Sequence, residues 1–161
     1  MELLKDGRKK AGIWVIAVLA LLAGQGPALA DHHGASLYDR LGGVKAISLV
    51  VDDFINRMVE NKVLNANPHI AAGRTTSPDP YLKFQVTTQV CQATGGPCQY
   101  TGLGMKESHT HLKITEGEWQ EMLDILEACL SHFEVPQQEK EELGAIIASL
   151  KADIVSEPAS K

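Results

Sequence analysis

The sequence predicts an all-α domain. Four stretches carry apolar residues at helical spacing, and no stretch alternates apolar and polar residues as a strand would. Glycine and proline separate these stretches, most clearly at Gly95-Gly96-Pro97 and Val135-Pro136. Because 161 residues suffice for one ordinary domain, we expect a single helical domain built from four long helices.

Residues 1–30 have the pattern of a secretory signal peptide and are not counted in that domain. Positions 8–10 are basic, positions 11–23 are apolar, and Ala28-Leu29-Ala30 fits a small-residue cleavage site. The apolar run is shorter than the ~20 residues that span a bilayer, so a permanent membrane anchor is the alternative. The sequence therefore predicts an exported, periplasmic protein that begins at Asp31 and is not inserted in the membrane.

The mature chain is acidic. Removing residues 1–30 takes away four basic and two acidic side chains, so the net charge of −5 becomes −7. An acidic domain without basic clusters argues against nucleic acid and anionic membranes as partners. Residues 31–35 are expected to form a flexible, solvated tail, although His33 as the third residue of a free terminus could chelate Cu(II) or Ni(II).

The first half of the domain contains a short helix, a long helix and a loop. The short helix begins at Ser36-Leu37-Tyr38-Asp39 and ends at Gly42-Gly43. A long amphipathic helix follows from Val44 to about Glu60. Residues 61–80 are rich in proline, glycine and small polar residues, which predicts a loop of the kind that often borders a site. The apolar positions of the long helix are Ile47, Val50, Val51, Phe54, Met58 and Val59.

Three more long helices are predicted. Asp79 as N-cap and Pro80 open the second, which ends before Gly95. Thr115 and Glu118 form a capping box that opens the third, and Pro136 opens the last. Their apolar stripes are Leu82, Val86 and Val90; then Trp119, Met122, Leu123, Leu126, Leu130 and Phe133; then Leu143, Ile146, Ile147, Leu150, Ile154 and Val155.

The cysteines suggest one disulfide and one free thiol. Cys91 and Cys98 flank the Gly95-Gly96-Pro97 turn, and in an oxidising compartment they could close a small loop. The sequence leaves this open, because it does not supply the Cα separation that a disulfide requires. Cys129 falls on an apolar stripe and is predicted to be a free, buried thiol.

A short helical segment separates the glycine-rich break from the third long helix. Residues 105–112 offer about two turns, in which His109 lies four residues after Met105 and therefore on the same face. A single histidine on such a turn is well placed to act as a ligand.

Four motifs in this sequence resemble those of group I truncated haemoglobins, the small two-over-two globins. They are LYDRLGG at 37–43, GGP at 95–97, YTG at 100–102 and MK-x-x-H at 105–109. The resemblance covers Ser36 to about Val155, with residues 156–161 left as a tail. It implies a two-over-two globin fold and a haem b whose iron has His109 as its proximal ligand. No Cys-x-x-Cys-His motif occurs, so non-covalent attachment is expected.

The resemblance also assigns the remaining cofactor-binding residues. Tyr100 would lie at the haem edge, and Lys106 or Lys83 would meet a propionate. His111 is expected to point away from the His109 face and is the first backup ligand. The apolar walls would be Phe54, Leu82, Val86 and Val90 on the gas side, Met105 and Ile114 near His109, and Trp119 and Met122 behind it.

The sequence departs from the family pattern on the gas side. Ile55 stands where many members have a tyrosine that holds dioxygen, and Asn67-Pro68 replaces a Phe-Phe pair. Val86 aligns with a position that is often glutamine, while Gln85 and Gln89 lie close by. Without a donor the pocket should hold dioxygen weakly and distinguish poorly among gases.

Three functions follow as hypotheses. The first is reversible binding of dioxygen, nitric oxide or carbon monoxide; it assigns no catalytic residue and leaves open a nitric oxide dioxygenase or peroxidase-like activity served by an unknown electron donor. The second is haem-based electron transfer in which Gln85 or His69 occupies the sixth position. The third is a non-haem metal site at His109, His111 and the Asp31–His33 terminus, which lacks the tight ligand cluster of zinc sites.

Overall fold

The computed structural model describes residues 34–156, and most of that range is helical. A 3₁₀ turn, Thr110–Leu112, follows α6. Within the described range the only strand-like pairing is an isolated parallel bridge between Ile114 and Val155, so the predicted all-α fold is confirmed. The predicted signal peptide and both tails fall outside this range, apart from residues 34, 35 and 156. The helices are α1 (Leu37–Arg40), α2 (Gly43–Glu60), α3 (Lys62–Asn65), α4 (Pro68–Thr76), α5 (Asp79–Ala93), α6 (Met105–His109), α7 (Glu116–His132), α8 (Gln137–Ser149) and α9 (Lys151–Ile154).

Helix α2 is the centre of the domain and packs against α5 and α7. Its fully buried residues are Ile47, Val51 and Ile55, spaced four apart on one face. Ile55 was not among the apolar positions predicted for this helix, yet it is only 3% exposed. The predicted Phe54 and Met58 are half-buried; they border a cavity, as Ile47, Val51 and Ile55 also do.

A second core lies where α1, α7 and α8 meet. Leu37, Leu130 and Leu143 form its buried cluster, one residue from each helix. Beside it, Arg40 of α1 forms ion pairs with Glu139 and Glu142 of α8, so a charged contact accompanies the apolar one. The predicted stripes end sooner than expected, since Phe133 follows the last residue of α7 and is 37% exposed.

Residues 61–80 are not the loop that the sequence predicted. They form α3 and α4, and an asparagine caps each helix. The Asn61 side chain accepts from the backbone N–H of Val63 and Leu64, and Asn67 does the same for α4, with Pro68 in its first turn. Helix α5 then begins at Asp79, one residue earlier than predicted. The loop prediction was wrong because asparagine and proline, which mark turns, also begin helices.

The end of α5 is fixed by a disulfide. Cys91 and Cys98 are joined, with their Cα atoms 5.8 Å apart. Gly96 fits here because a Cβ on it would lie 2.7 Å from Cys91 Sγ. Cys129 is a free and fully buried thiol, as predicted. Burial, together with the neighbouring Asp53 carboxylate, raises the pKa of Cys129 to about 12.

Among residues 34–156, no helix has both the length and the apolar character needed to cross a membrane.

We expect the Cys91–Cys98 disulfide to stabilise the domain. Closing a ring over a sequence separation of 7 restricts the unfolded chain, and for so short a ring this is worth roughly 2–3 kcal/mol. Cys98→Ser should lower the free energy of unfolding by that amount in urea titrations. A reductant should shift the midpoint of the natural protein onto that of Cys98→Ser and leave the variant unchanged. Equal midpoints for the two oxidised proteins would contradict the prediction.

Candidate functional site

A cavity of about 440 Å³ lies inside the domain and is lined mainly by apolar side chains of α2, α5 and α7. Small-molecule and cofactor sites have similar volumes, about 300–1,000 Å³, and a similar apolar character. All ten predicted cofactor-binding residues border this one cavity; contact with a cofactor stays a prediction. They are Phe54, Leu82, Val86, Val90, Tyr100, Met105, His109, Ile114, Trp119 and Met122.

His109 is the last residue of α6, and hydrogen bonding at one ring nitrogen orients its side chain. Nδ1 lies 2.9 Å from the carbonyl oxygen of Met105 and 3.0 Å from Ser108 Oγ. Because the carbonyl can only accept, Nδ1 carries the proton and donates it. Nε2 makes no hydrogen bond within residues 34–156 and keeps its lone pair. A histidine held in this way is prepared to bind a metal through Nε2.

The surroundings of His109 favour its neutral form. Burial lowers the pKa of His109, and the neighbouring His111 lowers it further, against the opposing effect of the hydrogen bond to Met105. Protonation of Nε2 would remove the lone pair that a metal needs. The site therefore keeps His109 competent as a ligand at neutral pH.

Ser108 supports this arrangement and was not identified from the sequence. Its hydroxyl lies 2.9 Å from the Gly104 carbonyl oxygen and 3.0 Å from that of Met105, to which it donates. Its oxygen is then an acceptor for the Nδ1–H of His109. A serine next to a histidine forms no recognisable sequence pattern, so only the folded turn reveals this contact.

One predicted polar residue, His69, lies away from the cavity, and another, His111, is closer than expected. His69 is exposed and is not among the cavity-lining residues, so it has no place in the sixth position that the electron-transfer hypothesis gave it. His111 is exposed, as expected, but it also borders the cavity beside Gly73.

The lysines expected to meet a propionate are also absent from the cavity wall. Lys83 Nζ lies 2.7 Å from Asp52 Oδ1, and neither Lys83 nor Lys106 lines the cavity. The cation that does line it is Arg74 of α4. The sequence gave no reason to choose Arg74, because the helix that orients it had been interpreted as loop.

The part of the wall formed by α2 and α5 is largely aliphatic. Ile55, Val51 and Val86 all border the cavity, and Ile55 is only 3% exposed. Gln85 and Gln89 border it as well. One N–H of the Gln85 amide donates to the Tyr81 hydroxyl at 2.8 Å, and the Gln85 Oε1 is buried without a hydrogen-bond partner among the described residues.

Tyr100 closes the side of the cavity next to the glycine-rich segment. Its hydroxyl donates to the carbonyl oxygen of Leu103 at 2.9 Å, and its backbone N–H donates to Gln92 Oε1 at 2.6 Å. Gly102 permits this position, because a Cβ there would come within 2.4 Å of the Tyr100 hydroxyl. Burial raises the pKa of Tyr100, so the hydroxyl remains protonated and keeps its hydrogen bond.

The non-haem metal hypothesis has no support in the part of the chain that the structure describes. No group of three or more His, Cys, Asp or Glu residues there is arranged to hold a metal ion. Its other component, Asp31–His33, lies outside the described residues.

The sequence and the fold both match known proteins. The family model for bacterial-like globins matches residues 36–156. The group 1 truncated hemoglobin GlbN of Mycolicibacterium paratuberculosis is 31% identical over 127 residues, which is 79% of this chain and 89% of that protein. The group 1 truncated hemoglobin LI410 of Chlamydomonas moewusii is 24% identical over 125 residues, 76% of this chain and 70% of that protein.

Two solved structures have a similar fold. The truncated hemoglobin of Tetrahymena pyriformis in its Fe(III) form has a TM-score of 0.66 at 20% identity, covering 76% of this chain and all of that one. The 2/2 hemoglobin of Synechococcus sp. PCC 7002, in the cyanomet state with covalently attached heme, has a TM-score of 0.66 at 21% identity, covering 75% of this chain and 98% of that one.

The lowered pKa of His109 predicts a loss of stability in acid. Its pKa in the folded protein lies below the ordinary value of 6.5, so protonation favours the unfolded chain. The contribution to stability is complete above about pH 6.5 and is lost as the pH falls towards and through the folded-state pKa. Urea midpoints of the haem-free protein measured between about pH 7.5 and 5 should fall less steeply for His109→Gln than for the natural protein. Parallel curves for the two would contradict this assignment.

Proposed function

This chain belongs to the bacterial-like globin family and is a group I truncated globin, and on that basis we propose that it holds haem b non-covalently and binds diatomic gases, with His109 as the axial ligand of the iron. The family implies haem and a gas ligand in general. The observation that supports His109 in particular is its hydrogen bond from Nδ1 to the Met105 carbonyl, which leaves Nε2 free at the cavity wall.

The residues present fit a haem. The cavity offers a largely apolar lining for a porphyrin, and His109 is a neutral imidazole with a fixed tautomer. When bound, haem would supply an iron with one axial position left for a diatomic gas. Cys-x-x-Cys-His is absent from the sequence, which supports non-covalent attachment.

The aliphatic wall supports weak retention of dioxygen relative to carbon monoxide. Dioxygen becomes polar when it binds and gains from a hydrogen-bond donor, whereas carbon monoxide gains less. Ile55 is buried where a tyrosine hydroxyl would have served as that donor, and Val86 is aliphatic as well. The Gln85 amide nitrogen already donates one of its two N–H groups to Tyr81. We therefore favour a protein that binds gases without retaining dioxygen strongly. The same wall disfavours the electron-transfer alternative, because the candidate that remains for the sixth position, Gln85, offers only an amide as a ligand.

We further propose that the protein works in an oxidising compartment after export. The signal-like pattern of residues 1–30 supports this, and so does the Cys91–Cys98 disulfide, because such bonds persist mainly outside the cytosol. We also propose that an electron donor in that compartment serves the iron and that the protein can convert nitric oxide to nitrate.

Replacing His109 should abolish axial ligation by the protein. Absorption spectra of ferric and ferrous protein, with and without carbon monoxide, should lose the five-coordinate histidine signature in His109→Ala. His69→Ala is the matched control, because His69 is exposed and lies off the cavity; its spectra should be unchanged. An unaltered ferrous spectrum in His109→Ala would refute the assignment, and its loss in a His111→Ala variant instead would transfer the role to His111.

Supplying a donor at position 55 should strengthen dioxygen binding selectively. A hydroxyl worth about 1 kcal/mol or more should raise the dioxygen affinity of Ile55→Tyr by roughly five- to tenfold, with little change for carbon monoxide. Ile55→Phe adds the same ring without the hydroxyl and controls for the larger side chain. Equal dioxygen affinities in the tyrosine and phenylalanine variants would show that the aliphatic wall does not limit retention.

A further inference from the structure

Helix α4 borders the cavity without burying any residue of its own. Ile70, Gly73 and Arg74 line the cavity from one face of this helix. None of its 9 residues is buried, whereas α2, α5, α7 and α8 each contribute at least two buried residues. Segments with few buried apolar contacts open at lower free energy than the core does. Like the shorter α6 and α9, which also line the cavity without a buried residue, α4 is therefore a part of the wall that separates more easily than α2, α5, α7 and α8 do.

Arg74 fastens α4 to the end of α2. Its two terminal guanidinium nitrogens each donate at 2.8 Å to a backbone carbonyl, one to Val59 and one to Met58. These carbonyls belong to the last turn of α2, where oxygens have no helical partner and a positive charge is favourable. Both also accept from other residues, Met58 from Asn61 N–H and Val59 from Asn65. Loss of Arg74 would therefore release α4 without leaving the end of α2 unpaired.

Asn67 fastens the other end of α4 to the segment that carries His109. Its Nδ2 donates at 3.1 Å to the carbonyl of Leu112, in the 3₁₀ turn after His109. Its Oδ1 accepts from the backbone N–H of His69 and so caps α4. Gly73 lets the helix lie close to that turn, because a Cβ on it would be 2.8 Å from the Leu112 side chain. Helix α4 thus bridges α2 and the His109 segment by polar contacts.

We propose that α4 is a displaceable wall of the cavity, that Arg74 and Asn67 fasten it, and that the cofactor enters and leaves by displacement of α4. The route rests on the proposed function, because it takes haem as the occupant. The fastening of α4 by Arg74 and Asn67 does not rest on the proposed function, because every contact that defines it lies within the protein. Arg74 and Asn67 are on this view positioning residues that determine how long the cofactor is retained.

The fastening is tested by hydrogen exchange in the purified protein, whatever its haem content. Arg74→Met removes both donors, and the amides of residues 68–76 should exchange about tenfold faster, with little change in α5 and α7. Arg57→Met is the matched control, because Arg57 pairs with Asp53 within α2 and does not line the cavity. Asn67→Asp keeps the capping oxygen, loses the donor to Leu112 and should also accelerate exchange of α4. Unchanged exchange in both Arg74→Met and Asn67→Asp would refute the fastening.

The route is tested by transfer of ferric haem to an excess of a haem-free acceptor globin. We expect Arg74→Met to release haem about tenfold faster than the natural protein and Arg57→Met to release it at the natural rate. Faster exchange of α4 without faster haem release would refute the route. Faster release without faster exchange would refute the fastening and indicate direct contact of Arg74 with the cofactor. Absence of haem from the natural protein would refute the proposed function and the route together, while the exchange result would still decide the fastening.

Discussion

The abrupt end of α5 is the constraint on which the site depends. The chain must stop being helical after Ala93 so that α6 can bring His109 to the cavity. Gly95 takes a φ of +88°, the disulfide ties Cys98 back to α5, and the Thr94 carbonyl accepts from the backbone N–H of Tyr38 in α1. Since all of these contacts hold the same turn, they help to determine where the backbone places His109, independently of the contacts that its own side chain makes. The short α6, which buries no residue, relies on this anchoring.

The two sides of the cavity wall differ in character: the α2 and α5 side is mainly apolar, and the His109 side carries polar groups. On α2, the buried Ile47, Val51 and Ile55 build the packed core and also border the cavity, beside the half-buried Phe54 and Met58. On the His109 side, the Met105 and Gly104 carbonyls and the Ser108 hydroxyl satisfy His109 Nδ1 and Ser108 locally, while His109 Nε2 has no partner among the described residues. A buried polar group without a partner is costly, so a mostly aliphatic wall on α2 and α5 is the stable choice; Gln85 Oε1 on α5 is the exception, since it is buried without a partner among the described residues. The same choice removes the means of holding a polar ligand firmly.

Stability is distributed unevenly around the cavity. Helices α2, α5, α7 and α8 are held mainly by apolar packing in the two core clusters, which is non-directional and hard to release in part, although Thr87 and Glu139 are buried as well. Helix α4 is held through Arg74 and Asn67 by a few directional hydrogen bonds, which can break without disturbing the rest. This contrast lets one wall move while the remainder stays intact.

The sequence by itself determined the helical class, the capping of α7 by Thr115 and Glu118, the free buried Cys129 and, through its resemblance to group I truncated haemoglobins, the family and the residues that line the cavity. These features depend on hydrophobic periodicity, on the residues that begin and end helices, and on short motifs, all of which are local and can be read along the chain. Only the tertiary structure decided the helices within 61–80, the burial of Ile55, the disulfide and the roles suggested for Ser108 and Arg74. Each of these depends on distances between segments far apart in sequence or on a hydrogen bond that exists only in the folded turn, and no local pattern encodes such a distance.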